Sequence, residues 1–305
     1  MTQQSMSDIA GKSLGDSTSY AVFTDTFDPS LLNPMPRSLA REGWGIDGAR
    51  MGGFDRWTSH EATFLLDSGR PIAGTLVFIY GANSEFMIES KSMKLYLNSF
   101  DMCRMGANLE EAIKAYESQI NIDLSQTLQT KVQVRFFDSK DYLKSAVDPL
   151  FGCNDLARLE GVEDVEFVDF TGEDNHIETV EFDSVLDQQW YTNALRSRCR
   201  HTKQKDTGTA TIRYRGTKRI RPVSILKQIV SLREVNEFHE FCAEKILTEI
   251  DKKVNNMDCL GVALYYARRG SLDINPVRWI RGTEASAWYS EIYNVNLIVE
   301  KTQGQ

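Results

Sequence analysis

Two alternations of hydrophobic period, more than 100 residues apart, constrain this 305-residue chain more than any other feature. In IAGTLVFIYG (72–81) an apolar run of strand length precedes MKLYLNSF (93–100), where Met93, Tyr96, Leu97 and Phe100 fall at i, i+3, i+4 and i+7, one face of a helix. NLEEAIKAYESQI (108–120) predicts a second amphipathic helix, with Asn108 as N-cap and Glu110 and Glu111 in the favourable first turn. KVQVRFF (131–137) then alternates Val132, Val134 and Phe136 on one side, as a half-buried strand does. The same grammar returns later. TATIRYRG (209–216) sets Ala210, Ile212 and Tyr214 against Thr211, Arg213 and Arg215; VSILKQIVSL and NEFHEFCAEKILTEI read as helices, and GVALYYARRG as a strand. Strand, helix, helix, strand, twice over, predicts an α+β fold of two similar modules, each an antiparallel sheet with helices on one face.

A 41% hydrophobic content at this length allows a sizeable core. The apolar runs are far shorter than the ~20 residues of a membrane helix. The N-terminal MTQQSMSDIAGKS lacks the apolar centre of a signal peptide, so a cytoplasmic location is expected, with no membrane partner. A net charge of −8 and a pI near 5.2 argue against general nucleic-acid binding, which needs a basic face. The five cysteines are widely spaced, with no CxxC pair and no Cys/His cluster at zinc spacing, so neither a disulfide framework nor a metal site is expected. The expected organisation is a loose polar tail over 1–20, a first module over 21–150, an acidic, turn-rich connection over 151–180 and a second module over 181–305. Within the first module, DPSLLNPMPRSLAREGWGI (28–46), with its three prolines, reads as an ordered but irregular lead-in.

No GxGxxG fingerprint is present, and GARMGG (48–53) has the wrong spacing and no preceding apolar strand. Three stretches carry chemistry. IESKSMK (88–94) stands where a strand gives way to a helix, so Ser90 or Ser92 can cap the helix while Lys91 and Lys94 and free amides offer a phosphate site; a capped, solvated helix start is the plainer alternative. There Glu89 would repel a phosphate but suit a donor-rich heterocycle. NEFHE (236–240) offers Asn236 as N-cap with His239 and Glu240 in the first turn, where a fixed carboxylate can accept two parallel hydrogen bonds from a guanine-like edge or simply favour the helix start. RSRCRHTKQKDTG (196–208) surrounds Cys199 with Arg196, Arg198, Arg200, Lys203 and Lys205, and with His201. Those cations are solvated and idle, meet a polyanion, or lower the thiol pKa from its reference ~8.5. Asp206 can exchange a proton near Cys199 only if the chain turns back, because the seven intervening steps extend to over ~20 Å.

Together these segments resemble the NADPH-dependent 7-cyano-7-deazaguanine reductases, the nitrile reductases of queuosine biosynthesis, in their long two-module form. The resemblance is carried by ESKSMKLYLNSF (89–100), SLREVNEFHEFCAEKI, RRGSLDINP (268–276) and DPSLLNPMPRSL, and spans roughly residues 20 to 290 in order. It implies tandem tunnelling-fold (T-fold) modules with the site between modules, NADPH bound without a Rossmann domain, no metal, and a homodimer. It also implies Cys199 as the nucleophile that forms a thioimide with the nitrile carbon, and Asp206 as proton donor. Ile88, Glu89, Ser90, His239 and Glu240 correspond to substrate contacts; Ser90, Lys91, Arg269 and Gly270 correspond to cofactor contacts. The chain departs from the family's CPxTxQPDW pattern, reading CRHTKQKDT, with Arg200, Lys205 and Thr207 in place of two prolines and a tryptophan. Loss of two φ-fixing residues and an aromatic wall predicts a looser nucleophile loop. Two other readings follow from the residues: a purine or pterin enzyme with different chemistry, and an RNA or nucleotide binder using the basic segment 196–221.

Overall fold

The computed structural model describes residues 26–138, 142, 146–200, 202–254 and 257–305; the tail expected over 1–20 and His201 lie outside them. The chain runs β1 (Pro34–Pro36), α1 (Ser38–Trp44), β2 (Met51–Leu65), β3 (Pro71–Gly81), β4 (Phe86–Ile88), α2 (Ser90–Asn98), α3 (Leu109–Leu128), β5 (Val132–Phe137), β6 (Ala146–Val147) and β7 (Asn154–Asp155). It continues through β8 (Thr179–Arg198), β9 (Lys205–Ile220), α4 (Pro222–Val230), α5 (His239–Asp251), β10 (Met257–Tyr266), β11 (Leu272–Ile280), α6 (Ala285–Ile292) and β12 (Ile298–Val299). Eight strands form one sheet in the order β5-β3-β2-β11-β10-β9-β8-β7, antiparallel except for the short β7–β8 pair. The order strand, helix, helix, strand occurs twice: α2 and α3 connect β3 to its antiparallel neighbour β5, and α4 and α5 connect β9 to its antiparallel neighbour β10.

Helix boundaries follow local chemistry. Asn108 caps α3 as expected, its side-chain oxygen accepting from the Glu111 N–H at 3.1 Å. Pro222 opens α4, where its fixed φ fits and its missing N–H costs nothing. The glycines of GARMGG lead into and begin β2: a Cβ on Gly52 would stand 2.2 Å from Trp279 Nε1, so this glycine permits close strand packing.

Four helices share one face of the sheet. Met93, Tyr96, Leu97, Tyr116, Ile120 and Leu124 of α2 and α3 pack on Trp57, Leu76, Phe78 and Tyr80. Ile225, Ile229, Cys242, Ile246 and Ile250 of α4 and α5 pack on Ile212, Tyr214, Leu260, Val262 and Leu264. The expectation of helices on one face only needs correction, because Val77, Ile79, Ala263, Tyr265 and Val277 point the other way and are covered by Ala285 and Tyr289 of α6 together with Tyr293. The physical reason is visible in the strands: LVFIY and GVALYY are continuous apolar runs, and a strand without alternation buries both faces. Each such Leu, Ile or Val contributes about 1.5–3 kcal/mol by leaving water.

The two halves meet in the β2–β11 ladder, from Met51 opposite Ile280 to Ser59 opposite Leu272. Beside it lies a buried charge network. Asp55 of β2 accepts from Arg37 and forms an ion pair, at 2.7 Å, with Arg278 Nη1 of β11. Glu244 of α5 accepts from Arg278 Nε at 3.0 Å and from Arg41 of α1 at 2.7 Å. Burial alone would raise the Asp55 carboxyl, but Arg278 and then Arg37 outweigh it and hold the group below the ordinary carboxylate range. Asp55→Ala strands the buried Arg37 and leaves Arg278 only Glu244, and should cost about 3–5 kcal/mol in urea unfolding at pH 7; a loss below ~1 kcal/mol would show that the network does not bind the halves together.

Candidate active site

A cavity of about 590 Å³ opens where the start of α2, the tip of the β8–β9 hairpin, the start of α5 and the β10–β11 turn converge. Ile88, Glu89, Ser90, Lys91, Cys199, Asp206, His239, Glu240, Arg269 and Gly270 all line it. Residues singled out from segments up to 182 positions apart, Ile88 to Gly270, therefore stand around one space.

The hairpin brings Cys199 and Asp206 to the same wall. β8 and β9 pair as far as Arg198 opposite Lys205, so the chain reverses over 199–204. The Cys199 N–H donates to Gln204 O at 2.8 Å and the Lys203 N–H to Cys199 O at 3.0 Å, with Lys203 at φ +58° closing the turn. Outside ties replace the missing prolines: Arg198 N–H donates to Val235 O at 2.8 Å and Glu237 N–H to Arg198 O at 3.1 Å. Arg200 pairs with Glu237 at 3.2 Å and lies 5.9 Å from the Phe238 ring centre. These contacts tie the hairpin tip to the segment that leads into α5.

Of the five cations around Cys199 in sequence, Arg200 alone lines the cavity among the described residues. Arg198 turns to Glu234. The cationic rim comes instead from Lys91, Lys94 and Arg269, which are remote in sequence. Lys94 lies against Gly270, whose φ is +71° and where a Cβ would stand 2.5 Å from the ammonium. Further along β9, Arg213, Arg215 and Lys218 pair with Asp187, Glu284 and Glu181 at 3.5, 3.2 and 3.3 Å. Interleaved carboxylates make this strand a poor track for a polyanion.

Both helix starts differ from the expected caps. The cap of α2 is Glu89, which accepts from the N–H groups of Lys91 at 2.8 Å and Ser92 at 2.7 Å, because Ser90 already stands inside the helix. The amides that could have cradled a phosphate are thus occupied by a carboxylate, which leaves the lysine side chains to attract one. Phe238, not Asn236, is the N-cap residue of α5 and makes no side-chain cap. Asn236 is instead bridged to Arg198, two residues ahead of the helix.

Burial raises two carboxyls of the cavity, but their charged neighbours send them in opposite directions. Burial pushes Asp206 up, but hydrogen bonding and charge from His239 and then Arg269 more than offset it, so the group lies below the usual carboxylate range. His239 Nε2 is 3.5 Å from Asp206 Oδ1, and its ring stacks on Tyr266 at 3.7 Å between centres. Burial pushes Glu240 up to about 8, reinforced by Asp55 and opposed by Arg37. Glu240 Oε1 and His239 Nδ1 are buried without a hydrogen-bond partner, so a ligand with polar edges gains from meeting them. The cysteines form no disulfide. No cluster of His, Cys, Asp and Glu suited to a metal occurs among the described residues, and no described helix is long and apolar enough to cross a membrane.

Sequence reasoning missed Asp55, Arg37, Tyr266 and Glu237. Asp55 and Arg56 inside the otherwise apolar FDRW stretch were the available signal, since a charge within a strand interior needs a buried partner.

Comparison with known proteins gives first the class: residues 23–136 match the family described as nitrile reductase, 7-cyano-7-deazaguanine-reductase N-term. Among similar proteins, the NADPH-dependent 7-cyano-7-deazaguanine reductase of Rickettsia prowazekii (strain Madrid E) is 34% identical over 259 residues, 84% of this chain and 89% of that protein. Proteins of the same name from Rickettsia canadensis (strain McKiel) and Rickettsia massiliae (strain Mtu5) are 34% and 35% identical, over 87% and 85% of this chain and 91% and 90% of their own lengths. The chain belongs to the 7-cyano-7-deazaguanine reductase family, whose named members are NADPH-dependent oxidoreductases.

The Glu240 environment has a measurable sign. As pH rises from 4.5 towards 8 the unfolded chain releases a proton that the buried carboxyl retains, so this group increasingly destabilises the fold. Glu240→Gln should therefore melt several degrees above the unaltered protein at pH 7.5, the gap closing near pH 4.5, as read by thermal unfolding; equal Tm values at pH 7.5 would refute a neutral buried Glu240.

Proposed function

We propose that this chain reduces the nitrile of 7-cyano-7-deazaguanine to 7-aminomethyl-7-deazaguanine, in tRNA queuosine biosynthesis, with two NADPH and through a thioimide on Cys199. The observation that carries this reading is the cavity that unites Cys199 and Asp206 of one hairpin with His239 and Glu240 of one helix start, beneath a cationic rim.

A nitrile accepts hydride poorly. Addition of Cys199 as thiolate, its proton passed to Asp206, forms an S–C bond and breaks one π bond of C≡N, whose electron pair takes that proton from Asp206. Hydride from a first NADPH then reduces the imine-like carbon, and departure of the thiolate leaves an imine. Hydride from a second NADPH, with a proton on nitrogen, gives the aminomethyl group. Glu240 and His239 supply the unmet polar atoms for the deazaguanine edge, and the Ile88–Ser90 backbone forms the facing wall. Lys91, Lys94 and Arg269, with Ser90 and Gly270 beside them, fit the phosphates of NADPH.

The twofold strand, helix, helix, strand topology supports tandem T-fold modules over 21–150 and 181–305, linked by the acidic 151–180. We place the protein in the cytoplasm, as a homodimer without stable nucleic-acid partners; the exposed Val180, Phe182 and Val185 of β8 offer apolar surface for a second copy.

The unaltered protein is expected to oxidise two NADPH per product and, without NADPH, to gain the mass of the nitrile. Cys199→Ala should bind the deazapurine yet show neither adduct nor oxidation; turnover by that variant would remove the covalent mechanism. Asp206→Asn should lose about 10²–10⁴ in kcat with binding retained, measured by NADPH absorbance.

A further inference from the structure

One side chain grips both the acid and the nucleophile hairpin. From the β10–β11 turn, the Arg269 guanidinium donates through Nε to Asp206, through Nη1 to Gln204 Oε1 at 2.9 Å, and through Nη2 to the carbonyls of Lys205 at 2.7 Å and Gln204 at 3.2 Å. The Arg269 side chain is 32% exposed, whereas that of Asp206 is 4% exposed. The acid is therefore sealed and the cation that holds it is reachable from the cavity mouth, where Lys91 and Lys94 also stand.

We propose that Arg269 has two positions: without ligand it holds Asp206 and the hairpin tip, and a phosphate-bearing dinucleotide at the Lys91 and Lys94 mouth draws the guanidinium off Asp206, readying the acid. This rests on the proposed function and adds to it an order of events. Asp206 is faced by His239 and Cys242 of α5, Tyr266 of β10, Ser197 of β8 and Arg269. With both His239 and the guanidinium beside it the carboxylate is held ionised, so a proton reaches it less readily and unaided adduct formation is slow. Once the guanidinium leaves, its pull no longer adds to that of His239, and burial, the largest influence on this carboxyl, raises its proton affinity. The guanidinium gives up Asp206, the Gln204 amide oxygen and two backbone carbonyls, a loss offset by the bidentate charged oxygens of a phosphate and by the binding of the dinucleotide at Lys91 and Lys94. Addition then proceeds as written above: the S–C bond forms, the nitrile nitrogen takes the Asp206 proton, and Asp206 is left as carboxylate. No electron passes to or from the dinucleotide in this step, so the effect is separable from hydride transfer.

The test follows adduct formation by rapid-quench intact mass spectrometry, with saturating nitrile substrate and with or without saturating NADP+, which carries the phosphates but no hydride to give. The positive nicotinamide ring opposes protonation of Asp206, so acceleration would occur despite it. Expected are a rate increase of about tenfold with NADP+ at pH 7.5, equivalent to one pH unit of proton affinity, and a shift to higher pH of the point where the rate begins to fall. Arg269→Gln should form adduct at the accelerated rate without NADP+ and ignore its addition. An unaltered protein whose rate and pH profile are indifferent to NADP+ would overturn the inference while leaving the nitrile chemistry intact, and this arm needs no variant to fold. Absence of adduct under every condition would overturn the proposed function itself.

Discussion

The β2–β11 ladder is the contact on which the rest of the molecule depends. It fuses two strand sets into one sheet, and the cavity walls are drawn from both sides of it: Ile88 to Lys94 from one, Cys199, Asp206, His239, Glu240 and Arg269 from the other. Beside the ladder, Asp55 and Glu244 hold Arg37, Arg278 and Arg41 in a buried network. Such a network is a weak source of net stability but a strict one, because removal of any member strands its partner.

That network also reaches the chemistry. Glu240 stands one helical turn before Glu244 on α5, and Asp55 repels it while Arg37 attracts it. The same ions that join the halves thus help set the proton on a cavity carboxyl. Asp206, also buried but beside His239 and Arg269, is driven the opposite way. Two carboxyls with opposed proton affinities in one cavity can divide the work, one exchanging protons with reacting atoms and the other reading a polar edge.

Much of this was legible in the residues. Periodicity in MKLYLNSF, NLEEAIKAYESQI and TATIRYRG located helices and strands, whereas the second covered face, which the uninterrupted runs LVFIY and GVALYY carry, was not expected. Asn108 capped α3 as expected, but the caps of α2 and α5 were misplaced, because a Glu one position before Ser90 reached the free amides of α2 and hairpin contacts held Asn236 away from α5. The cations around Cys199 misled for a related reason: neighbours along a strand alternate in direction, so proximity in sequence said little about which charges face the cavity.

The sequence by itself determined most of the elements and their twofold order and singled out the residues that come to line one cavity, since these depend on local periodicity and on functional groups legible in the letters. Only the tertiary structure decided which cations meet the cavity, which carboxyl keeps its proton and which arginine guards Asp206. Those properties arise from burial and from distances of a few ångströms between segments far apart in the chain, and no local pattern encodes them.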